Sequence, residues 1–165
     1  MNRAQRRASA RESQRPARQR PRFGGLIAIN RSEPLEPEEA ARLSNEVRMA
    51  WQRMLDGNAN VPDFDNLAHA LNLTKVIADG FGQPAIDVAA RAQGAMRQVR
   101  NRYARLGRFG VDAGALRDVP PALDFHDEIL RTHSPNQLVK ALDESARQLA
   151  EYAARTRDKT TTPEE

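Results

Sequence analysis

Residues 84–106, PAIDVAARAQGAMRQVRNRYARL, decide the fold class, because their apolar positions repeat at the spacing of an α-helix. Gly107 follows directly, and glycine favours the left-handed conformation at which many helices end. The stretch therefore predicts a long amphipathic helix from Pro84 to about Leu106. Its apolar stripe returns at alternating steps of three and four residues: Ala89, Ala92, Met96, Val99, Tyr103 and Leu106.

Upstream of this stretch, two more segments show helical periodicity. The first starts at Pro37, a residue suited to the first turn of a helix, and Gly57 ends it. The second covers about residues 63–79, and its wide apolar face predicts a central helix. We expect Phe81, in the break that follows, to turn inward. The two stripes comprise Ala40, Leu43, Val47, Ala50 and Met54, with Trp51 and Leu55 beside them, and Phe64, Leu67, Leu71, Thr74 and Ala78.

Downstream, the pattern predicts a shorter fourth helix over about residues 121–132, preceded by at most one helical turn at 112–118. A fifth helix follows, because Ser134 and Gln137 have the spacing of a capping box. It runs to about Arg155 and is expected to bury Leu138, Leu142, Leu149 and Ala153. No segment alternates with a period of two. The sequence therefore predicts an all-α fold, a bundle of four long helices plus one shorter helix.

The first 22 residues differ from the rest in charge. They hold eight arginines and one acid, whereas residues 23–165 hold 18 basic and 21 acidic side chains. This composition predicts a disordered basic arm over residues 1–22, a helical domain over 23–157 and a frayed tail over 158–165. The arm lacks the apolar core of a secretory signal and the apolar face of a transit peptide. A nucleic-acid arm and an inert solvated tail remain as alternatives.

The predicted third helix carries a second basic set, with no acid between Asp87 and Asp112. A helical wheel places Arg91, Arg97, Arg105 and Arg108 opposite the apolar stripe, with Arg100 and Arg102 beside it. If unpaired, these guanidinium groups offer a binding surface for phosphates. The alternative is that acids elsewhere in the chain neutralise them, the candidates being Glu36, Glu46, Asp124, Asp127, Asp143 and Glu144.

Signals of catalysis and metal binding are weak. The chain has no cysteine, no GxSxG elbow and no HExxH motif, so we expect neither an enzyme nor a metal or cofactor site. The three histidines, His69, His126 and His133, are expected in surface ion pairs and loops. No apolar run approaches the ~20 residues of a membrane span. A cytoplasmic protein is the expectation.

Two stretches carry a resemblance over roughly residues 40–140: RLSNEVRMAWQRMLDG…DFDNLAHALN and RAQGAMRQVRNRYARLGRFGVD…LRDVPPALDFHDEIL. They resemble small uncharacterised helical proteins of proteobacterial phages, plasmids and integrated elements. The resemblance implies a setting on a mobile element and transfers no catalytic or binding residue.

These observations predict a non-enzymatic accessory or regulatory protein that binds nucleic acid non-specifically through arginine–phosphate contacts. The alternative is an adaptor or inhibitor whose helical body binds a host or phage protein, and a homo-oligomer through the stripe of the third helix is left open. An open arginine face favours the first hypothesis and a bare apolar patch favours the second. The predicted nucleic-acid contacts are Arg3, Arg6, Arg7, Arg11, Arg15, Arg18, Arg20 and Arg22 in the arm, and Arg97, Arg100, Arg105 and Arg108 in the body.

Overall fold

The computed structural model describes the backbone of residues 32–161 and the side chains as far as Arg155. In that range the chain forms five helices and no strand, which confirms the all-α prediction. The predicted basic arm over residues 1–22 lies outside the described residues. No helix in the described range is long and apolar enough to cross a membrane. The helices are α1 (Pro37–Leu55), α2 (Val61–Ala78), α3 (Gln83–Leu106), α4 (Ala113–Thr132) and α5 (Pro135–Thr161).

Side-chain caps set the starts of two helices. The Asn60 side chain accepts a hydrogen bond from the Asp63 N–H, and the Asp63 carboxylate accepts one from the Asn60 N–H, both at 3.0 Å. This reciprocal pair starts α2 two residues earlier than predicted. At α5 the Ser134 N–H donates to Gln137 Oε1 at 2.8 Å, and the Gln137 N–H donates to Ser134 Oγ at 3.4 Å. The predicted capping box is confirmed.

The fourth helix is longer than predicted. It begins at Ala113 and runs for 20 residues with Pro120 and Pro121 inside it, so the predicted start at Pro121 is wrong. A proline inside a helix costs one backbone hydrogen bond. Here Val119 and Leu123, on either side of the prolines, are both buried. Burial of apolar surface before and after the prolines offsets that cost and keeps the helix continuous.

The α2 helix is central, as predicted, because it packs against α1, α3, α4 and α5. Two apolar clusters lie along it. One forms around its first half with side chains such as Trp51 and Val99, and the other around its second half with Leu73, Ile129 and Leu138. The second cluster also holds Leu35, which ties the start of the described chain to that end of the bundle.

The distal part of α5 leaves the bundle, since every residue from 146 to 155 is exposed. Leu149 is 47 % exposed and Ala153 is exposed as well, so their predicted burial is wrong. The inward prediction for Phe81 is also wrong. Phe81 is 56 % exposed and touches only the edge of the core, with its ring centroid 5.4 Å from that of Phe125.

Candidate functional site

The α3 helix separates an inner apolar stripe from an outer basic face. Ala89, Ala92, Met96 and Val99 are buried as predicted. At 100° per residue, Arg97 lies nearly opposite Val99 on the helical wheel. Arg100 and Arg105 lie about 60° and 80° to either side of Arg97. The three guanidinium groups therefore share the solvent side of α3.

A turn stabilised by stacked aromatic rings places a fourth arginine at the end of α3. Gly107 has φ 69°, a left-handed conformation that ends the helix at low steric cost. Phe109 is buried, and its ring centroid lies 4.1 Å from that of Tyr103 and 5.3 Å from that of Phe64. The two stacks anchor the turn. Arg108, between the glycine and the buried ring, is held exposed beside the last turn of the helix.

Four arginines of this region form no ion pair, and we call them the outer arginines: Arg97, Arg100, Arg105 and Arg108. All four are exposed. No carboxylate of the described residues lies within ion-pairing distance of them. Every other arginine whose side chain the structure describes takes part in an ion pair. The unpaired arginines of the described body are therefore concentrated on one helix and its end.

The two remaining arginines of this region have partners. Arg102 Nη2 donates to Asp112 Oδ2 at 2.6 Å, and Arg102 Nη1 donates to the Gly110 carbonyl at 2.8 Å. The Ala115 N–H, and then Arg102, hold the pKa of Asp112 below its usual value. Arg91 Nε lies 3.9 Å from Asp118 Oδ1, a weak exposed contact. Of the two alternatives left open for Arg91, a free or a paired side chain, the structure thus shows a weak pair.

The acids predicted as alternative partners of this region pair elsewhere or stay apart. Arg42 binds Glu46, Arg147 binds Glu144, and Arg48 binds both Asp124 and Asp127. Neither Glu36 nor Asp143 forms an ion pair with a described basic side chain. The acids that do reach α3 are Asp112 and Asp118, which flank or begin α4. Both acids follow α3 closely in the chain, at the start of the next helix, which packs against α3. This closeness in sequence was the signal that could have identified them as the partners.

The position of the outer arginines along α3 is electrostatically favourable. Backbone carbonyls at the carboxyl end of a helix carry a partial negative charge, so cations are stabilised in its last turn. Arg105 lies in that turn. Asp112, the residue that caps the start of α4, is engaged by Arg102. The helix dipole therefore partly stabilises the positive charge of this face without an internal carboxylate. The four side chains are accessible to an anionic ligand.

An apolar depression lies beside the last turn of α3, and we call it the leucine hollow. It has a volume of about 360 Å³ and is bordered by three exposed leucines, Leu55, Leu106 and Leu116. The end of α1, the end of α3 and the start of α4 each contribute one of them. Arg108 also lines it. The remaining apolar lining consists of Met54, Phe109 and Val111. Both features that separate the two functional hypotheses, an open arginine face and a bare apolar patch, are present.

The surface prediction for His126 is wrong, because its side chain is fully buried. The Thr74 hydroxyl donates to the Ala70 carbonyl at 2.9 Å, so it accepts from His126 Nδ1–H at 3.2 Å. His126 Nε2 has no partner among the described residues. Burial lowers the pKa of His126 to about 4, so the ring is neutral at pH 7. No cluster of three potential metal ligands occurs in the described range.

The eight arginines predicted to contact nucleic acid in residues 1–22 lie outside the described residues, so the structure adds only the four outer arginines to that set. Comparison of the chain with protein-family models, with curated proteins and with solved structures returned no match.

Proposed function

We propose that the protein binds nucleic acid through sequence-independent contacts between arginines and backbone phosphates. In this proposal the four outer arginines form the contact surface of the body, and the eight arginines of residues 1–22 add to it. The protein serves a mobile genetic element as a non-enzymatic accessory or regulatory factor, the setting implied by its resemblance to small phage and plasmid proteins.

One observation carries the proposal. The fold pairs every other arginine whose side chain is described with a carboxylate, yet leaves four exposed arginines together on one helix and its end. Neutralising backbone phosphates with such side chains releases condensed counterions, which supplies most of the free energy of non-specific binding. A bundle that forms no internal ion pair with these four charges can use all of them for a polyanion.

The arrangement favours a duplex backbone over unpaired bases. Single-strand binders present exposed aromatic rings on which bases stack. The aromatic residues beside the outer arginines are not available for stacking, because Tyr103 is half-buried, Phe109 is buried and their rings stack on each other. From Arg97 to Arg105 the helix rises about 12 Å, a length that spans several phosphates of one strand. Duplex DNA is therefore the probe of choice.

The test measures duplex affinity by fluorescence anisotropy at fixed ionic strength. The variant R97Q/R100Q/R105Q/R108Q removes the four outer arginines. The control variant R42Q/R131Q/R147Q/R155Q removes four exposed arginines that sit in ion pairs within single helices, so both variants lose the same charge. We expect the first to bind at least about tenfold more weakly and the control to stay within about threefold of the wild type. An equal loss in both variants would refute a localised binding face.

A second experiment separates the arm from the body. Deleting residues 1–22 removes eight arginines, and we expect affinity for the same duplex to fall by orders of magnitude at about 150 mM salt. Undiminished binding after the deletion would rule out a role for the arm. It would leave the outer arginines as the contact surface.

A further inference from the structure

The leucine hollow brings three exposed leucines together in one depression. Leu55, Leu106 and Leu116 are 40 %, 59 % and 53 % exposed, and all three line one depression. Single exposed leucines are ordinary on protein surfaces, but a contiguous apolar patch with a polar rim marks an interaction site. The patch lies where three helix ends meet, so no described helix crosses it.

The rim of the hollow selects the charge of its occupant. Arg108 lines the hollow without a carboxylate partner in the described structure, and Arg105 lies one turn away on α3. Arg102, the other basic side chain in the lining, is already neutralised by Asp112. An occupant that covers the leucines therefore gains further free energy if it places a carboxylate next to Arg108.

The same charge argues against two occupants that this chain could supply, a symmetric second copy and the leading segment of the chain. A second copy docked symmetrically through the hollow would bring the two Arg108 side chains and their neighbouring arginines together, an arrangement that like-charge repulsion opposes. The leading 31 residues hold nine arginines and one acid, Glu12. Neither occupant offers the carboxylates that the rim calls for.

We propose that the leucine hollow docks an acidic amphipathic helix of another protein, with leucine- or phenylalanine-sized side chains in the depression and a carboxylate against Arg108. A helix laid into a groove of this kind is recognised through apolar anchors at spacings of three and four residues. The apolar contacts do not depend on nucleic-acid binding, because the leucines contact no phosphate, and Arg108 is the one residue that the hollow shares with the proposed phosphate-binding face. It gives the protein a second surface through which a partner is brought to a nucleic acid.

The test is a selection from a random-peptide display library on the full chain, after depletion on the double variant Leu106→Ser/Leu116→Ser. Both positions are more than half exposed, so the variant is expected to keep the melting temperature of the wild type. We expect the enriched peptides to combine apolar residues at helical spacing with aspartate or glutamate. Their affinity should fall at least about tenfold on the double variant.

A charge-reversal variant tests the rim separately. Arg108→Glu leaves the leucines intact, so it should lower the affinity of the selected acidic peptides and raise that of copies in which lysine replaces the acids.

Neutral or basic peptides from the selection, or no enrichment that depends on the leucines, would overturn the proposal. Binding that needs prior removal of residues 1–31, or a dimer that Leu106→Ser/Leu116→Ser dissociates, would assign the hollow to the chain itself and would also overturn it. The duplex affinity of the leucine variant is measured as well. If it equals that of the wild type, a failed docking experiment concerns the hollow alone and leaves the proposed nucleic-acid binding untouched.

Discussion

Arginine serves opposite purposes in two regions of this bundle, the seam between α1 and α4 and the outer face of α3. At the seam, Arg48 Nη2 donates to Asp124 Oδ1 and to Asp127 Oδ2, both at 2.6 Å. Ser44 Oγ donates to the second oxygen of Asp127. On α3, the outer arginines meet no carboxylate of the described chain. The same type of side chain ties two helices together at the seam and is unpaired on the outer face of α3.

The difference shows that pairing follows the arrangement of helices and not the supply of acids. Counting the described carboxylates would suggest that the outer arginines can be neutralised. The described carboxylates pair instead at the seam, within single helices, or with Arg91 and Arg102 on α3 itself. A basic face in a protein whose body is acidic overall is therefore a property of geometry, and it can be tested by disturbing each region in turn.

The largest expected effect concerns the buried side of the seam. His126 has its pKa lowered from 6.5 to about 4, first by burial, with Arg48 adding to the shift and Asp127 opposing it. Between these values the unfolded chain takes up a proton that the folded chain does not. Stability should thus be complete above pH 6.5 and fall by about 3 kcal/mol as the pH drops to 4. Urea unfolding across this range measures it.

Carboxylates also titrate near the lower limit of that range, so a variant isolates the histidine. His126→Leu replaces the buried ring with an apolar side chain that does not titrate, and the Thr74 hydroxyl still donates to the Ala70 carbonyl. We expect its unfolding free energy to vary much less than that of the wild type between pH 6.5 and 4.5. A pH dependence equal to that of the wild type would show that the buried ring is not the group responsible.

A smaller effect is expected from the ion pairs of the seam. Asp127→Ala removes the acceptor of both Arg48 and Ser44, and we expect a loss of about 1–2 kcal/mol in unfolding free energy. The guanidinium group is partly exposed, which keeps the value below that of a fully buried pair. Glu46→Ala, which breaks an exposed pair within α1, is the control and should cost less than about 0.5 kcal/mol. Similar losses in the two variants would remove the distinction between seam and surface.

The smallest effect is expected on the outer face. Arg97→Gln/Arg100→Gln exchanges two unpaired, exposed residues for another good helix former. We expect the free energy of unfolding to change by less than about 0.5 kcal/mol. A loss as large as that of Asp127→Ala would mean that these side chains have partners within the fold, and the contrast between the two regions would fail.

The fold could be predicted from the sequence where the signals are local. The stripe of α3, the glycine that ends it and the capping box at Ser134 all depend on residues a few positions apart. All three are observed, except that Leu106 at the end of the stripe is exposed. The start of α4 was misplaced because a local rule about proline was outweighed by burial on both sides. His126 was misplaced by its acidic neighbours, although its three-residue spacing from Leu123 and Ile129 puts it on their stripe.

The candidate site could be predicted only in part, because it depends on how distant segments meet. The wheel placed Arg97 and Arg105 on the outer face, and both are exposed. That Arg102 pairs with Asp112 depends on the turn after α3. The leucine hollow needs three helix ends in contact, and Leu106 taken alone fits the apolar stripe. Ion pairing and side-chain exposure at helix ends therefore depend on the tertiary structure, and the hydrophobic periodicity of the sequence does not predict them.

The central claim is that the outer arginines bind phosphates, and the salt dependence of duplex binding tests it most directly. Each phosphate contact adds about 0.9 to the slope of log K against log salt concentration. We predict that the slope for R97Q/R100Q/R105Q/R108Q is smaller than that of the wild type by about 3 to 4, whereas R42Q/R131Q/R147Q/R155Q keeps the wild-type slope. Equal slopes for the wild type and the first variant would contradict the claim.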